Sequence, residues 1–121
     1  MPDIEAVLNP WAEALTGHFA GAETPDDLEQ QLPVIRIERG GGSDERFSEH
    51  PRIFVDVFGR TADEARTLAD SLRDALLALR GPVHGAVIRD VRCDSGPSRL
   101  PWANEAVYRR GATYTVSFRA A

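Results

Sequence analysis

Few residues of this 121-residue chain have the type and spacing that chemistry requires. Cys93, the single cysteine, could act as a nucleophile beside a histidine, but a lone cysteine usually packs as a small hydrophobe. His18, His50 and His84 do not have the spacing of metal-ligand pairs. Asp56 lies in a β-rich run, where pairing with an arginine on a neighbouring strand, or exposure to solvent, is favoured over a catalytic role. The sequence therefore predicts no enzyme, no metal and no cofactor.

A glycine run, Gly40 to Gly42, follows a predicted strand and could begin a phosphate-binding loop. However, Glu45 stands where the third glycine of a dinucleotide fingerprint belongs, and a strand follows instead of a helix. All fourteen cationic residues are arginine, so the chain lacks the lysine of phosphate-binding loops and of Schiff bases. We interpret the run as the start of a flexible polar loop that continues to Pro51.

Two segments have the apolar spacing of amphipathic helices, and the first runs from Asp3 to Thr16. Asp3 is placed to cap this helix, but Pro10 interrupts the pattern. Two alternatives remain open, a helix kinked at Asn9 or a second helix that Asn9 caps. A single helical turn is also predicted at 24–29.

The second helix is predicted from Thr61 to Arg80. Thr61 and Glu64 have the spacing of a capping box, and Gly81 followed by Pro82 would end the helix. Its apolar residues form one stripe: Ala65, Leu68, Ala69, Leu72, Leu76 and Leu79.

Alternation of apolar and polar residues predicts four strands, at 32–39, 53–58, 86–94 and 112–118, and 18–22 is compatible with a further short strand. The expected fold is α/β in the broad sense, and more specifically α+β. It is a small, mixed, mainly antiparallel sheet of four to five strands, with the long helix and the N-terminal helix on one face. Residues 1–121 are expected to form a single domain.

The formal net charge of −5 opposes binding to nucleic acid and to anionic membrane surfaces. No apolar run approaches the ~20 residues that cross a bilayer. A single cysteine cannot form an intrachain disulfide, so the sequence favours a soluble protein made in a reducing cytosol.

Two predicted loops carry residues that could contact a partner. The connection from Ser95 to Trp102 presents Arg99, Leu100 and Trp102 among glycine and prolines, and tryptophan and arginine are enriched at interface hot spots. Trp102 could equally fold back over the core. The glycine-rich loop presents Arg46 and Phe47, although a mobile, solvated loop is favoured there.

The succession LPVIRIERGGG, PRIFVDVFGRTADEARTLADSLRDALLAL, AVIRDVRCDSGPSRLPW and YRRGATYTVSFRA resembles the tail terminator proteins of long-tailed bacteriophages. It is most similar to those from phages and prophages of actinobacteria, and more distantly to the lambda minor tail protein U. The resemblance extends from about Pro25 to Arg119 and lies in the order of elements and the placement of glycines, without a catalytic signature.

The resemblance implies a structural virion protein at the head-proximal end of the tail, assembled in the host cytoplasm. Such proteins form a hexameric ring that caps the tail tube, ends its polymerisation and joins the head-tail connector. The partners implied are other copies of the chain, the tail tube protein and the connector or neck protein. DNA would only pass through the lumen, without sequence-specific binding. The sheet would continue from subunit to subunit, and the Gly40 to His50 loop would face the tube or a neighbour.

Two alternatives stay open. Another phage neck or head-completion protein would belong to the same class. A stand-alone dimeric α/β module that binds a ligand or a peptide would belong to a different class, and the size of the self-assembled species would distinguish it from a ring.

Overall fold

A computed structural model describes residues 3–40 and 50–121 of the chain. These residues form three helices and six strands, in the order α1 (Ile4–Thr16), β1 (Phe19–Gly21), α2 (Leu28–Gln31), β2 (Val34–Arg39), β3 (Arg52–Gly59), α3 (Ala62–Ala78), β4 (Gly81–Val83), β5 (Ala86–Leu100) and β6 (Tyr108–Ala120).

The strands form one sheet with the order β1-β2-β3-β6-β5-β4. β1 and β2 are parallel, and every other neighbouring pair is antiparallel. The α+β class and the mainly antiparallel sheet are therefore confirmed. The predicted number of strands, four to five, is too low, because the sheet also contains β4, a three-residue strand that pairs with the start of β5.

One face of the sheet carries the main core. Alternation along each strand places one apolar set on this face, where α1 and α3 cover it. All members of that set are buried: Ile35, Ile37, Ile53, Val55, Val57, Tyr114, Val116 and Phe118. The two helices contribute Ile4, Val7, Leu8, Ala12, Ala69, Leu72 and Leu76 to the same cluster. The helix arrangement predicted from the apolar stripes is confirmed.

α3 begins as its sequence predicts and ends earlier. The Thr61 hydroxyl accepts a hydrogen bond from the Glu64 N–H at 3.0 Å, and the Glu64 carboxylate accepts one from the Arg60 N–H at 2.9 Å. The helix ends at Ala78 instead of Arg80, because the backbone of Leu79 is already extended. Gly81 has a φ of +88° but belongs to β4 instead of capping the helix.

α1 is a single helix with Pro10 inside it, so the alternative of a second helix capped by Asn9 is wrong. The Asn9 side chain instead donates to two backbone carbonyl oxygens, of Glu5 at 3.1 Å and of Ile37 at 3.0 Å. The second bond ties the helix to β2. Asp3 caps the helix as predicted, through a bond from the Glu5 N–H.

β5 is longer than predicted. It continues from Ala86 to Leu100, and β6 pairs with it to the end, where Leu100 lies opposite Arg109. The prediction of a loop from Ser95 onward is therefore wrong, and the connection between the two strands spans only 101–107. Register shifts near Ser95 accommodate the glycine and proline that had suggested a turn.

Candidate functional site

The face of the sheet opposite α1 and α3 carries a buried ion-pair cluster at its centre. Asp56 on β3, which is 3% exposed, receives Arg36 of β2 on one carboxylate oxygen and Arg109 of β6 on the other. Both shortest N···O distances are 2.8 Å. The residue opposite Asp56 on β6 is Gly111, where an added Cβ would lie 2.9 Å from the carboxylate. The expected pairing of Asp56 with an arginine on a neighbouring strand is confirmed, with a second arginine in addition.

The same two arginines hold Trp102 against the sheet. The guanidinium carbons of Arg36 and Arg109 lie 5.8 Å and 5.6 Å from a Trp102 ring centroid, within the range of cation–π attraction. The edge of the Trp102 ring meets Phe58, with centroids 4.6 Å apart. Trp102 is half-buried over a second, smaller core of Leu28, Val34, Phe58 and Val107. Trp102 therefore fastens the 101–107 connection to the sheet.

Beside this cluster the sheet face forms an open depression of about 440 Å³. Phe54 and Leu100 project from its rim and are 39% and 37% exposed. Asp56, Arg109 and Gly111 also line it, and the Leu100 side chain packs directly over Gly111. Glu38, which pairs with Arg36 at 3.9 Å, lines it too. The depression therefore combines exposed apolar side chains with charged groups that are already ion-paired.

The structure places only some of the five residues predicted to contact a partner on the face that carries the depression. Arg46 and Phe47 lie outside the described residues. Arg99 and Leu100 lie on β5 instead of a loop, and they point to opposite faces because they are consecutive in a strand. Only Leu100 and Trp102 lie on the face that carries the depression, each beside Arg109.

Residues with catalytic potential are not brought together among the described residues. The Cys93 thiol contacts the backbone carbonyl oxygens of Ser95 and Gly96, at 3.6 Å and 3.4 Å. The His50 ring lies 2.8 Å from the Ser117 hydroxyl. Within residues 3–40 and 50–121, no group of histidine, cysteine and carboxylate side chains has the arrangement of a metal site.

Three titratable groups in the described structure have perturbed pKa values with structural causes. Hydrogen bonds from the Thr115 hydroxyl and then from Arg92 lower the pKa of Asp94, and the backbone N–H of Arg60 does the same for Glu64. Burial raises the pKa of the Tyr114 phenol. Asp94 lies in the β5–β6 hairpin, Glu64 at the start of α3 and Tyr114 in the core. Because the three groups lie in different parts of the fold, their shifted pKa values do not define one site for proton transfer.

Sequence reasoning missed Arg36, Arg109 and Phe54. The alternation of β2 did place Arg36 on the face away from the core, and a carboxylate in the middle of an apolar strand signals that cations lie beside it. The exposure of Phe54 had no such signal, because its neighbours on the face come from strands distant in the chain.

A scan against protein-family models and a search of the curated proteins both found no match to this chain. In the part of the chain that the structure describes, no helix combines the length and the apolar character needed to cross a membrane.

Proposed function

We propose that the chain is a tail terminator subunit of a long-tailed bacteriophage. In this role six copies form a ring on the head-proximal end of the tail tube. The ring ends tube polymerisation and offers the surface that the head-tail connector joins. DNA passes through the lumen without being recognised.

The order of elements supports the proposal most directly. A helix, a short strand, two strands, a long helix and a long two-stranded hairpin follow each other along the chain. The sequence segments that carry the resemblance to tail terminators form these same elements. The hairpin strands β5 and β6 have 15 and 13 residues, longer than the roughly 3–10 residues usual in globular proteins.

The distribution of apolar surface also fits an assembly component. Both long helices pack on one face of the sheet, while the opposite face leaves Phe54 and Leu100 partly exposed beside the Asp56 ion-pair cluster. Large apolar side chains that stay exposed beside each other on one face are candidates for contact with another protein. This face is the surface that we assign to the tube or the connector.

The depression on the same face favours one alternative from another class, a dimeric module that binds a peptide or a small ligand. Its volume of about 440 Å³ is in the range of ligand pockets. A phage neck or head-completion protein is the alternative within the same class, and it shares the expectation of a ring.

Native mass spectrometry over a wide concentration range, with negative-stain images of the largest species, tests the proposal. We expect closed rings with six-fold symmetry. A stable dimer that persists at every concentration would contradict it and favour the binding module. Phe54→Ser with Leu100→Ser should leave the rings intact and abolish their attachment to tail tubes. Leu15→Ser, which alters an exposed apolar residue on α1, is the matched control.

A further inference from the structure

Charge is distributed very unevenly along this chain. The first 35 residues contain seven carboxylates and no arginine, a formal charge of −7, and the first arginine is Arg36. Residues 86–120 contain six arginines and three carboxylates, a formal charge of +3. The net charge of −5 therefore conceals two regions of opposite sign.

The fold places these two regions at opposite edges of the sheet. The acidic segment forms α1, β1 and α2, and β1 is one edge strand. At the other side β4 covers only the start of β5, from Ala86 to Ile88, so the rest of β5 is an edge as well. β1 and the C-terminal part of β5 lie at the same end of the sheet, four strands apart in the order of the sheet. With about 4.8 Å between neighbouring strands, the distance from β1 to β5 is about 19 Å.

Several of these charged groups have no oppositely charged partner among the described residues, although Glu13, Asp27 and Glu29 accept hydrogen bonds from neutral groups. On one side they are exposed carboxylates that form no ion pair among the described residues, and we define them as the acidic edge: Glu13, Glu23, Asp26, Asp27 and Glu29. On the other side Arg99 of β5 lies directly opposite Arg110 of β6, and neither pairs with a described carboxylate. We define these two residues as the arginine edge. Like charges in directly opposite positions destabilise a strand pair, so an anion placed beside them would relieve repulsion.

Backbone pairing between sheets is poorly supported at either edge. The Ala20 N–H of β1 already donates to the Glu13 carboxylate at 3.1 Å. Pro97 leaves β5 without one donor, and the register of β5 shifts on both sides of Ser95. Pro82 has the same effect in β4. Such features oppose edge-to-edge pairing of strands, so at these edges we expect contacts through side chains instead of the continuous sheet that the resemblance implies.

We propose that copies of this chain associate head to tail, with the arginine edge of one copy on the acidic edge of the next. The contact between two edges of opposite charge is heterologous, and heterologous contacts produce rings when the rotation closes. That this contact closes the ring at the tail rests on the function proposed above. A two-fold dimer through either edge alone would place like charges against each other, which charged interfaces avoid.

Two charge-reversed variants test this contact. Arg99→Glu with Arg110→Glu makes both edges acidic. Reversing three carboxylates, Glu23→Arg, Asp26→Arg and Glu29→Arg, changes the formal charge of the acidic edge from −5 to +1 and makes both edges basic. We expect each variant alone to self-associate at least about tenfold more weakly than the wild type, because like charges now meet. An equimolar mixture should recover assembly, with the two variants alternating. Sedimentation velocity at low ionic strength measures each case, and wild-type assembly should weaken in about 1 M salt, where the screening length falls to ~3 Å.

The matched control is Arg66→Glu with Arg73→Glu on the outer face of α3, which changes the net charge by the same amount as the arginine-edge variant. The control should assemble like the wild type, and circular dichroism should show that all variants are folded. Recovery in the mixture cannot result from misfolding, because neither variant is repaired by mixing.

Three outcomes would overturn the proposal: a wild-type chain that stays monomeric at low salt, charge-reversed variants that assemble normally, or a mixture that does not recover. Images separate this inference from the proposed function. If the charge-reversed variants still form six-fold rings, the proposed tail terminator function remains supported, but the proposed contact between the charged edges is refuted. Charge-dependent open chains would support the contact and argue against a ring.

Discussion

Replacing Asp56 by alanine should destabilise the domain by about 3 kcal/mol, because Arg109 would lose its ion-pair partner and Arg36 would keep only the more exposed Glu38, whose carboxylate lies 3.9 Å away. Removing one partner of a buried ion pair costs about 3–5 kcal/mol, since the remaining charge stays desolvated. The side chains of Arg36 and Arg109 are 18% and 23% exposed, which leaves them partly hydrated and places the expected value at the lower end. Urea unfolding with a two-state fit measures the change.

Asp74→Ala is the control for this measurement. Asp74 is 81% exposed and lies 3.9 Å from Arg73, so its loss should change the free energy of unfolding by less than about 0.5 kcal/mol. A second observable is the indole N–H resonance of Trp102, which should shift in Asp56→Ala because both arginines beside the ring become free to move.

A double-mutant cycle with Arg36→Met identifies the origin of the loss. If the cost arises from unpaired charge, Arg36→Met should be less destabilising in the Asp56→Ala background than in the wild type. Additive losses, or a destabilisation by Asp56→Ala of less than about 1 kcal/mol, would refute the argument that the cluster is desolvated.

Three further perturbations test other parts of the fold. Leu72→Asp puts a charge at a core position that is 1% exposed, so cooperative unfolding should disappear, and a wild-type melting curve would contradict the stripe assignment. Gly59→Ala would place a Cβ 2.7 Å from the Ala65 backbone nitrogen, and a loss of about 1–3 kcal/mol is expected in the same urea assay. Thr115→Val removes the main donor to Asp94, so the lowered pKa of that carboxyl should rise toward about 3.9 in an NMR titration. Because folding lowers the pKa of Asp94, this carboxylate stabilises the fold above its ordinary pKa, and the stabilisation is lost as the pH falls through the folded value. The variant should lose the part of this pH dependence that the Thr115 hydrogen bond supplies, since Arg92 still donates to Asp94.

Elements whose signals are local could be predicted from the sequence. α3 is an example, because the Thr61 cap and the apolar stripe lie within one segment, and the structure contains both. Its end was mispredicted for a reason that is not local. The Arg80 guanidinium pairs with Asp90 of β5 and donates to the carbonyl oxygens of Leu77, in the last turn, and of Leu79, just beyond the helix. A side chain held by the sheet therefore supports the helix end before Gly81 is reached.

The length of β5 shows where turn signals fail. Gly96 and Pro97 together normally indicate a turn, and they led to a predicted loop from Ser95. In the sheet this part of β5 is an edge, where a missing donor can face away from the neighbouring strand. Gly96 has a φ of +80°, and an added Cβ would lie 2.5 Å from the Gly111 carbonyl oxygen of β6. Glycine is therefore needed at this position because β6 approaches closely, and not because the chain turns. The sequence around Gly96 does not distinguish these two reasons, since the contact is with a different strand.

Arg109 and Arg110 show that residue type alone does not predict the structural role of a side chain. They are neighbours in β6 with the same charge, and alternation predicts that they point to opposite faces of the sheet. Arg109 meets the Asp56 carboxylate 2.8 Å away and becomes part of the fold. Arg110 meets Arg99 across the strand pair and keeps its charge available to another chain. The sequence predicts the alternation, but only the register of three strands decides which arginine pairs with Asp56 and which one lies opposite another arginine.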